Sequence, residues 1–353
     1  MRKKVQVLIW GFGAMGSGMA RGLLEKKGVE IAGVCDTHPD RKGRSIFSIL
    51  DLPRGDHRQI HIRGSIEAAL ADAAGADIAL LATDSFTRDA YDKILLLTGA
   101  GLNVITTAEE MAYPQAAEPG LAEAIDSAAK KHGVSVLGTG INPGLIMDLL
   151  VVLMSGACLD IDSIRAERVN SLSPYGPAVM AEQGVGLSPD TFAAQAAEAS
   201  LAGHVGFRES ITMIADAIGW ELSSPVEQSM EAIVSGVPRS TPFAKIQAGE
   251  VAGCSMQGKG LVGGQARIEM LHPQQIEPEL EGTETGDHIV ITGTPNINLQ
   301  IQPEVPGGVG TIAMCVNMIP QVLNASPGLK TMLDLPVPRA ILGDMRDRLE
   351  GGV

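Results

Sequence analysis

Aromatic side chains are scarce in this chain: phenylalanine, tyrosine and tryptophan together make up 3% of its 353 residues. That scarcity argues against a stacking platform for single-stranded nucleic acid. Cysteine is rarer still. Cys35, Cys158, Cys254 and Cys315 lie far apart and form no CxxC pair. Neither a disulfide framework nor a zinc site is expected, and a reducing, cytoplasmic setting fits. Positive charge is also in short supply, with 27 basic against 41 acidic side chains and a net charge of −14. Such a balance disfavours DNA, RNA and anionic membranes as partners. No apolar run has the length of a transmembrane helix. The opening MRKKVQVLIWGFGAMG mimics a leader, but its apolar run is short, breaks into a glycine loop and precedes no small-residue cleavage site. The expected partner is a small molecule, with no metal, nucleic acid or membrane.

What is present is alternation. VQVLIW (5–10), EIAGVC (30–35), QIHI (59–62), DIALLA (77–82), LNVI (102–105) and VSVLG (134–138) read as strands. Helical patterns fall between most of them, at 14–27, 65–73, 87–99 and 115–132. This order predicts an α/β fold with an N-terminal, doubly wound parallel sheet of Rossmann type. After Pro143 the pattern changes. GLIMDLLVVLMSGA (144–157) reads as one nearly all-apolar helix that joins domains or lies in a subunit interface. Runs at 162–171, 249–260, 265–271, 287–293 and 296–302 suit a mixed or antiparallel sheet, interrupted by helices near 189–202 and 206–219. The expected organisation is a dinucleotide-binding domain over 1–143 and an α+β substrate and dimerisation domain over 144–305. A final segment, 306–353, is expected to return to the first domain, with a helix at 307–323.

GFGAMG places Gly11, Gly13 and Gly16 as G-x-G-x-x-G between a strand and a helix, the context that this fingerprint requires. Phe12, Ala14 and Met15 complete the loop, whose free N–H groups at the helix start favour a pyrophosphate. Asp36 closes the second strand, where it can accept from a ribose diol and repel a 2′-phosphate. Arg41, Lys42 and Arg44 follow and could pair with such a phosphate, so both NAD and NADP stay open. Ala82 and Thr83 end the fourth strand and are expected near the cofactor.

The nicotinamide should lie beside the strands ending at 105 and 138. The first carries TTAEEM, in which Thr106–Glu109 and Thr107–Glu110 have capping-box spacing. A cap and an active site are both available readings of Glu109 and Glu110. The second carries GTGINPG, where Thr139, Gly140 and Asn142 could hold a substrate carboxylate, or Asn142 and Pro143 could simply open the next helix. Arg168 and Asn170 could also bind that carboxylate or form a solvated strand face. His204 is either a supporting residue or surface, and His272 reads as a turn residue before a proline. Thr311 and Asn317 could reach the nicotinamide or serve only packing.

GFGAMG, TTAEEM, GTGINPG, VGFRES (205–210) and PEVPGGVGTIAMCVNMIPQVL (303–323) together resemble the 2,4-diaminopentanoate dehydrogenases over nearly the whole chain. These belong to the dihydrodipicolinate-reductase-like group, which includes native amine dehydrogenases. The resemblance implies NAD(P)-dependent oxidative deamination of a 2,4-diaminopentanoate at C4, a step in ornithine breakdown, by a homodimer built through the second domain's sheet. It also implies a glutamate of the TTAEEM segment acting at the amine, and of the two Glu109 is favoured. Hydride can leave C4 only from a neutral amine, so a base must first take its proton. The His-His pair of true dihydrodipicolinate reductases is missing around 162–180. A related NAD(P)-dependent amine or amino-acid oxidoreductase, and a non-catalytic dinucleotide sensor, are the competing expectations.

Overall fold

The computed structural model describes residues 3–350. Residues 1–2 and 351–353, the ends of the first and last expected segments, lie outside that description. Contacts divide the chain into two units, Met1–Leu145 with Gly307–Val353, and Ile146–Pro306.

The first unit opens with β1 (Val5–Trp10), α1 (Ala14–Leu24), β2 (Val29–Cys35), α2 (Ile46–Leu50), α3 (Ile66–Asp72), β3 (Ile78–Leu81), α4 (Thr87–Gly99), β4 (Asn103–Thr106), α5 (Pro119–His132) and β5 (Ser135–Gly138). The strands are short apolar runs buried on both faces, as a sheet covered by helices requires. Helix boundaries follow local chemistry. The Ser65 hydroxyl accepts the Ala68 N–H at the start of α3. Helix α5 begins at Pro119, carries Lys130, Lys131 and His132 in its last turn, and stops at left-handed Gly133. Ala90, Ile94 and Leu97 of α4 and Ile125 and Ala129 of α5 pack on Val104 and Val136. Each large aliphatic side chain buried there contributes about 1.5–3 kcal/mol.

The second unit contains α6 (Leu149–Ser155), β6 (Asp160–Ser171), α7 (Pro177–Glu182), α8 (Pro189–Ala197), α9 (Phe207–Ile218) and β7 (Glu227–Val234). A small clip of β8 (Arg239–Ser240) and β9 (Lys245–Ile246) precedes β10 (Val251–Val262), β11 (Gln265–Gln275), β12 (Gly286–Thr294) and β13 (Ile297–Ile301). Its main sheet has the order β13-β12-β6-β11-β10-β7 and is mixed, because β6 and β11 run parallel and the other neighbours antiparallel. Helix α9 lies close on β10. A Cβ added at Gly260 would come within 2.6 Å of Ile211, so glycine is needed for that approach.

The chain returns to the first unit through α10 (Gly307–Asn317), α11 (Ile319–Asn324) and β14 (Gly328–Lys330). The first unit's sheet has the order β14-β5-β4-β3-β1-β2 and is parallel throughout. The α/β expectation holds.

Three local readings are corrected. QIHI makes only isolated bridges, Ser45 with His61 and Cys35 with Arg63 just beyond it, and is not a strand. The apolar run 144–157 is helical only from Leu149. Residues 142–148 are turns, and Asp148, not Asn142, caps the helix by accepting the Leu149 N–H at 2.6 Å. Finally, β14 adds a sixth strand that its three residues did not announce.

Candidate active site

In the glycine loop, each glycine meets a different spatial demand. Gly11 has φ of +92°, and a Cβ there would lie 2.4 Å from the Ala82 carbonyl oxygen and 2.8 Å from Thr83 Cγ2. The β3 end carrying Ala82 and Thr83 is therefore pressed against the loop. A Cβ at Gly16 would lie 1.8 Å from the Gly11 carbonyl oxygen, so α1 can approach only as glycine. Around Gly13, by contrast, an added Cβ meets nothing within 4 Å. That open side, at the start of α1, fits a pyrophosphate. Asp36 is buried at the end of β2 and accepts the Phe12 N–H at 2.6 Å and the His38 N–H at 2.7 Å. Burial raises its pKa, but those two bonds and the Arg41 guanidinium outweigh burial and lower it.

TTAEEM does not form a capping box. Thr106 Oγ1 accepts the Ala108 N–H at 3.2 Å, and Glu109–Ala112 is one short 3-10 turn with Ala108 at its N-cap. Glu110 caps a different helix. Its Oε2 accepts the Thr87 N–H, at the start of α4, at 2.9 Å, and its own N–H donates to the Ser85 carbonyl. Glu109 sits beside it on the turn, with Oε2 shielded from solvent. Thr107 is tied to β3 through its N–H, which donates to the Leu81 carbonyl.

The β5 loop packs directly on this turn. A Cβ at Gly138 would fall 2.1 Å from the Met111 carbonyl oxygen. Beyond it, Thr139 Oγ1 and both polar atoms of the Asn142 amide are buried without a hydrogen-bond partner among the described residues. An unsatisfied buried polar atom costs about 1–3 kcal/mol, which makes these atoms candidates for contact with a bound molecule. Gly140 approaches Thr311 of α10, whose hydroxyl accepts the Ile141 N–H at 3.2 Å. The Asn317 side-chain carbonyl accepts the Ile341 N–H at 3.3 Å, a packing contact.

The second unit carries its own buried polar group. On β6, Ile164, Ala166, Arg168 and Asn170 share the covered face; on β11, Ile268, Met270, His272 and Gln274 do. This face therefore turns from apolar to polar along the strands. The Arg168 guanidinium pairs with Asp287 of β12 and donates to the Val305 carbonyl at 2.5 Å. His272 Nδ1 donates to the Arg168 carbonyl at 2.7 Å, and the His272 ring meets His204 edge-on at 4.8 Å. Burial, then the nearby Arg168 charge, pushes His204 from 6.5 to about 3, and burial likewise holds His272 well below its usual range. Both rings are neutral at pH 7. Asn170 Oδ1 and His204 Nε2 are buried without partners among the described residues. The solvated-face reading of Arg168 and Asn170 is thus overturned, and so is the turn reading of His272.

Comparison with known proteins agrees with this architecture. A model described as the 2,4-diaminopentanoate dehydrogenase C-terminal domain matches residues 145–351. The chain is 60% identical, over 98% of its length and 97% of the relative's, to a 2,4-diaminopentanoate dehydrogenase of Acetoanaerobium sticklandii. It belongs to the 2,4-diaminopentanoate dehydrogenase family. It is also 24% identical to an amine dehydrogenase of Streptomyces virginiae, over 96% of this chain and 98% of the relative. An amine dehydrogenase structure from Mycobacterium smegmatis shares the fold, with a TM-score of 0.85 at 24% identity over 96% of this chain and 98% of that one.

For a 2,4-diaminopentanoate dehydrogenase family chain, the first unit brings together the glycine loop, Ala82, Thr83, Thr107, Glu109, Thr139, Gly140 and Asn142 at the carboxyl ends of its strands. Sequence reasoning missed Asp287 and the place of His272. Asp287 opens a strand with an ordinary alternating pattern, so no local signal separated it from a solvent-facing carboxylate.

Proposed function

We propose that this chain catalyses the NAD(P)-dependent oxidative deamination of 2,4-diaminopentanoate at C4, to 2-amino-4-oxopentanoate and ammonia. The bond from the Thr87 N–H to Glu110 carries the choice of base. It gives Glu110 a capping duty, and the chemical role falls to Glu109 on the same turn. The bound nicotinamide supplies the hydride acceptor. Glu109 first holds the substrate ammonium, then takes its proton so that the C4 amine is neutral when the C–H bond breaks. Once that proton has passed to solvent, the carboxylate takes a proton from the water that attacks the iminium carbon, and returning it to the nitrogen lets the carbinolamine collapse to the ketone and ammonia. Thr139 and Asn142 offer buried polar atoms that orient the substrate. Arg168, buried and paired with Asp287, is taken up inside the second unit and is not assigned to the substrate's carboxylate. The reading extends to a homodimer, a cytoplasmic location and a place in ornithine breakdown.

The test is direct. With 2,4-diaminopentanoate and either NAD or NADP, folded protein should generate reduced nicotinamide, read by its absorbance. No turnover with either cofactor overturns the reading, and faster turnover of a simple monoamine moves it to a related amine dehydrogenase.

A further inference from the structure

The end of β2 carries more charge chemistry than one dinucleotide requires. Asp36 is 7% exposed and receives the Phe12 N–H and Arg41 Nη1 on Oδ2, and the His38 N–H on Oδ1. The crowded Oδ2 has little room for a further donor, whereas Oδ1 can still accept one ribose hydroxyl. Arg41 contacts Asp36 through Nη1 at 3.0 Å, with 32% of its side chain exposed. The other nearby cations are placed differently. Arg44 is bound to the Asp40 carbonyl and the Ser48 hydroxyl, and the Lys42 stem lies over Gly64.

We propose that Arg41 lets this ribose site accept both dinucleotides, staying on Asp36 when the 2′-hydroxyl is free and moving onto the 2′-phosphate when one is present. A bare carboxylate at this position repels a phosphate. Here the repulsion is countered by a cation within reach of the same point, and the guanidinium exchanges one oxyanion for another of higher charge. The Phe12 and His38 N–H groups belong to the backbone, so they keep Asp36 compensated while Arg41 moves. The proposal rests on the dinucleotide reading of the glycine loop and not on the identity of the amine.

The test is fluorescence titration of the full-length protein with NADH and with NADPH, no amine being present. Wild type binds both. Arg41→Ala weakens NADPH by roughly 10- to 100-fold, the worth of a charge-assisted pair, and NADH by about threefold or less. Arg41→Gln repeats the loss in a side chain of similar reach, and Arg44→Ala leaves both affinities unchanged. Asp36→Asn shifts preference toward NADPH. Circular dichroism verifies that each variant is folded. The proposal fails if wild type binds NADH alone, if both Arg41 variants weaken the two cofactors equally or neither, or if the NADPH loss follows Arg44 instead. If these affinities behave as expected and 2,4-diaminopentanoate is not oxidised, only the substrate reading falls.

Discussion

The two polar groups of this chain are built in opposite ways. In the first unit, polar atoms sit on loops at strand ends, and backbone geometry places them: a glycine loop, a 3-10 turn and the Thr139–Asn142 stretch. In the second unit they project from strands into a covered sheet face, in the row Asp287, Arg168 and His272. Loop sites can move without unfolding anything, so a change there should alter chemistry more than stability. A strand-borne polar row is part of the core, where loss of one member leaves another buried and unpaired.

The sharpest challenge to this contrast is Glu109→Gln. It should lower kcat by about 10²- to 10⁴-fold, the contribution of a general base, with NADH affinity and melting temperature unchanged. A near-normal Glu109→Gln enzyme beside an inactive Glu110→Gln enzyme would reverse the roles assigned to the pair. Next in size is Asp287→Asn. It strands the Arg168 charge in the core and should cost about 3–5 kcal/mol in urea unfolding. A stability loss no larger than that of a surface substitution would show that the row is not a core element. Glu110→Ala removes the cap of α4 and should cost about 1 kcal/mol, with turnover within roughly tenfold of wild type.

A separate effect is pH-dependent. His204 has a folded pKa of about 3 against an ordinary 6.5. The unfolded chain therefore binds the proton more readily, and the stability contributed by the neutral ring is full above pH 6.5 and is lost as pH falls toward 3. Thermal unfolding should drop more steeply from pH 7 to 4.5 in wild type than in His204→Phe. Asp36, whose pKa is lowered, contributes stability that is lost only as pH falls below its ordinary 3.8, outside that window. Equal slopes in the two proteins would remove His204 from the polar row's energetics.

Much of the first unit was legible because its signals are local. Glycine spacing, an N-cap serine and short apolar runs each act within a few residues. The second unit was harder. His272 precedes Pro273, which reads as a turn, yet Pro273 lies in β11 where the pairing with β6 skips from Leu271 to Gln274. Proline is tolerated there because no ladder donor is required of it. The apolar run 144–157 hid a late helix start, since the capping Asp148 lies inside the run rather than before it.

Strand and helix alternation, the fingerprint loop and the candidacy of two glutamates were determined by sequence alone, because side-chain period and glycine's freedom are properties of neighbouring residues. Which glutamate caps was decided only by tertiary structure. Capping boxes within TTAEEM competed with the Thr87 N–H, a donor 23 residues away in sequence, and the packing of α4 beside β4 delivered that donor to Glu110. The same holds for the polar row: Arg168 and Asp287 are 119 residues apart, and sheet register alone makes them neighbours.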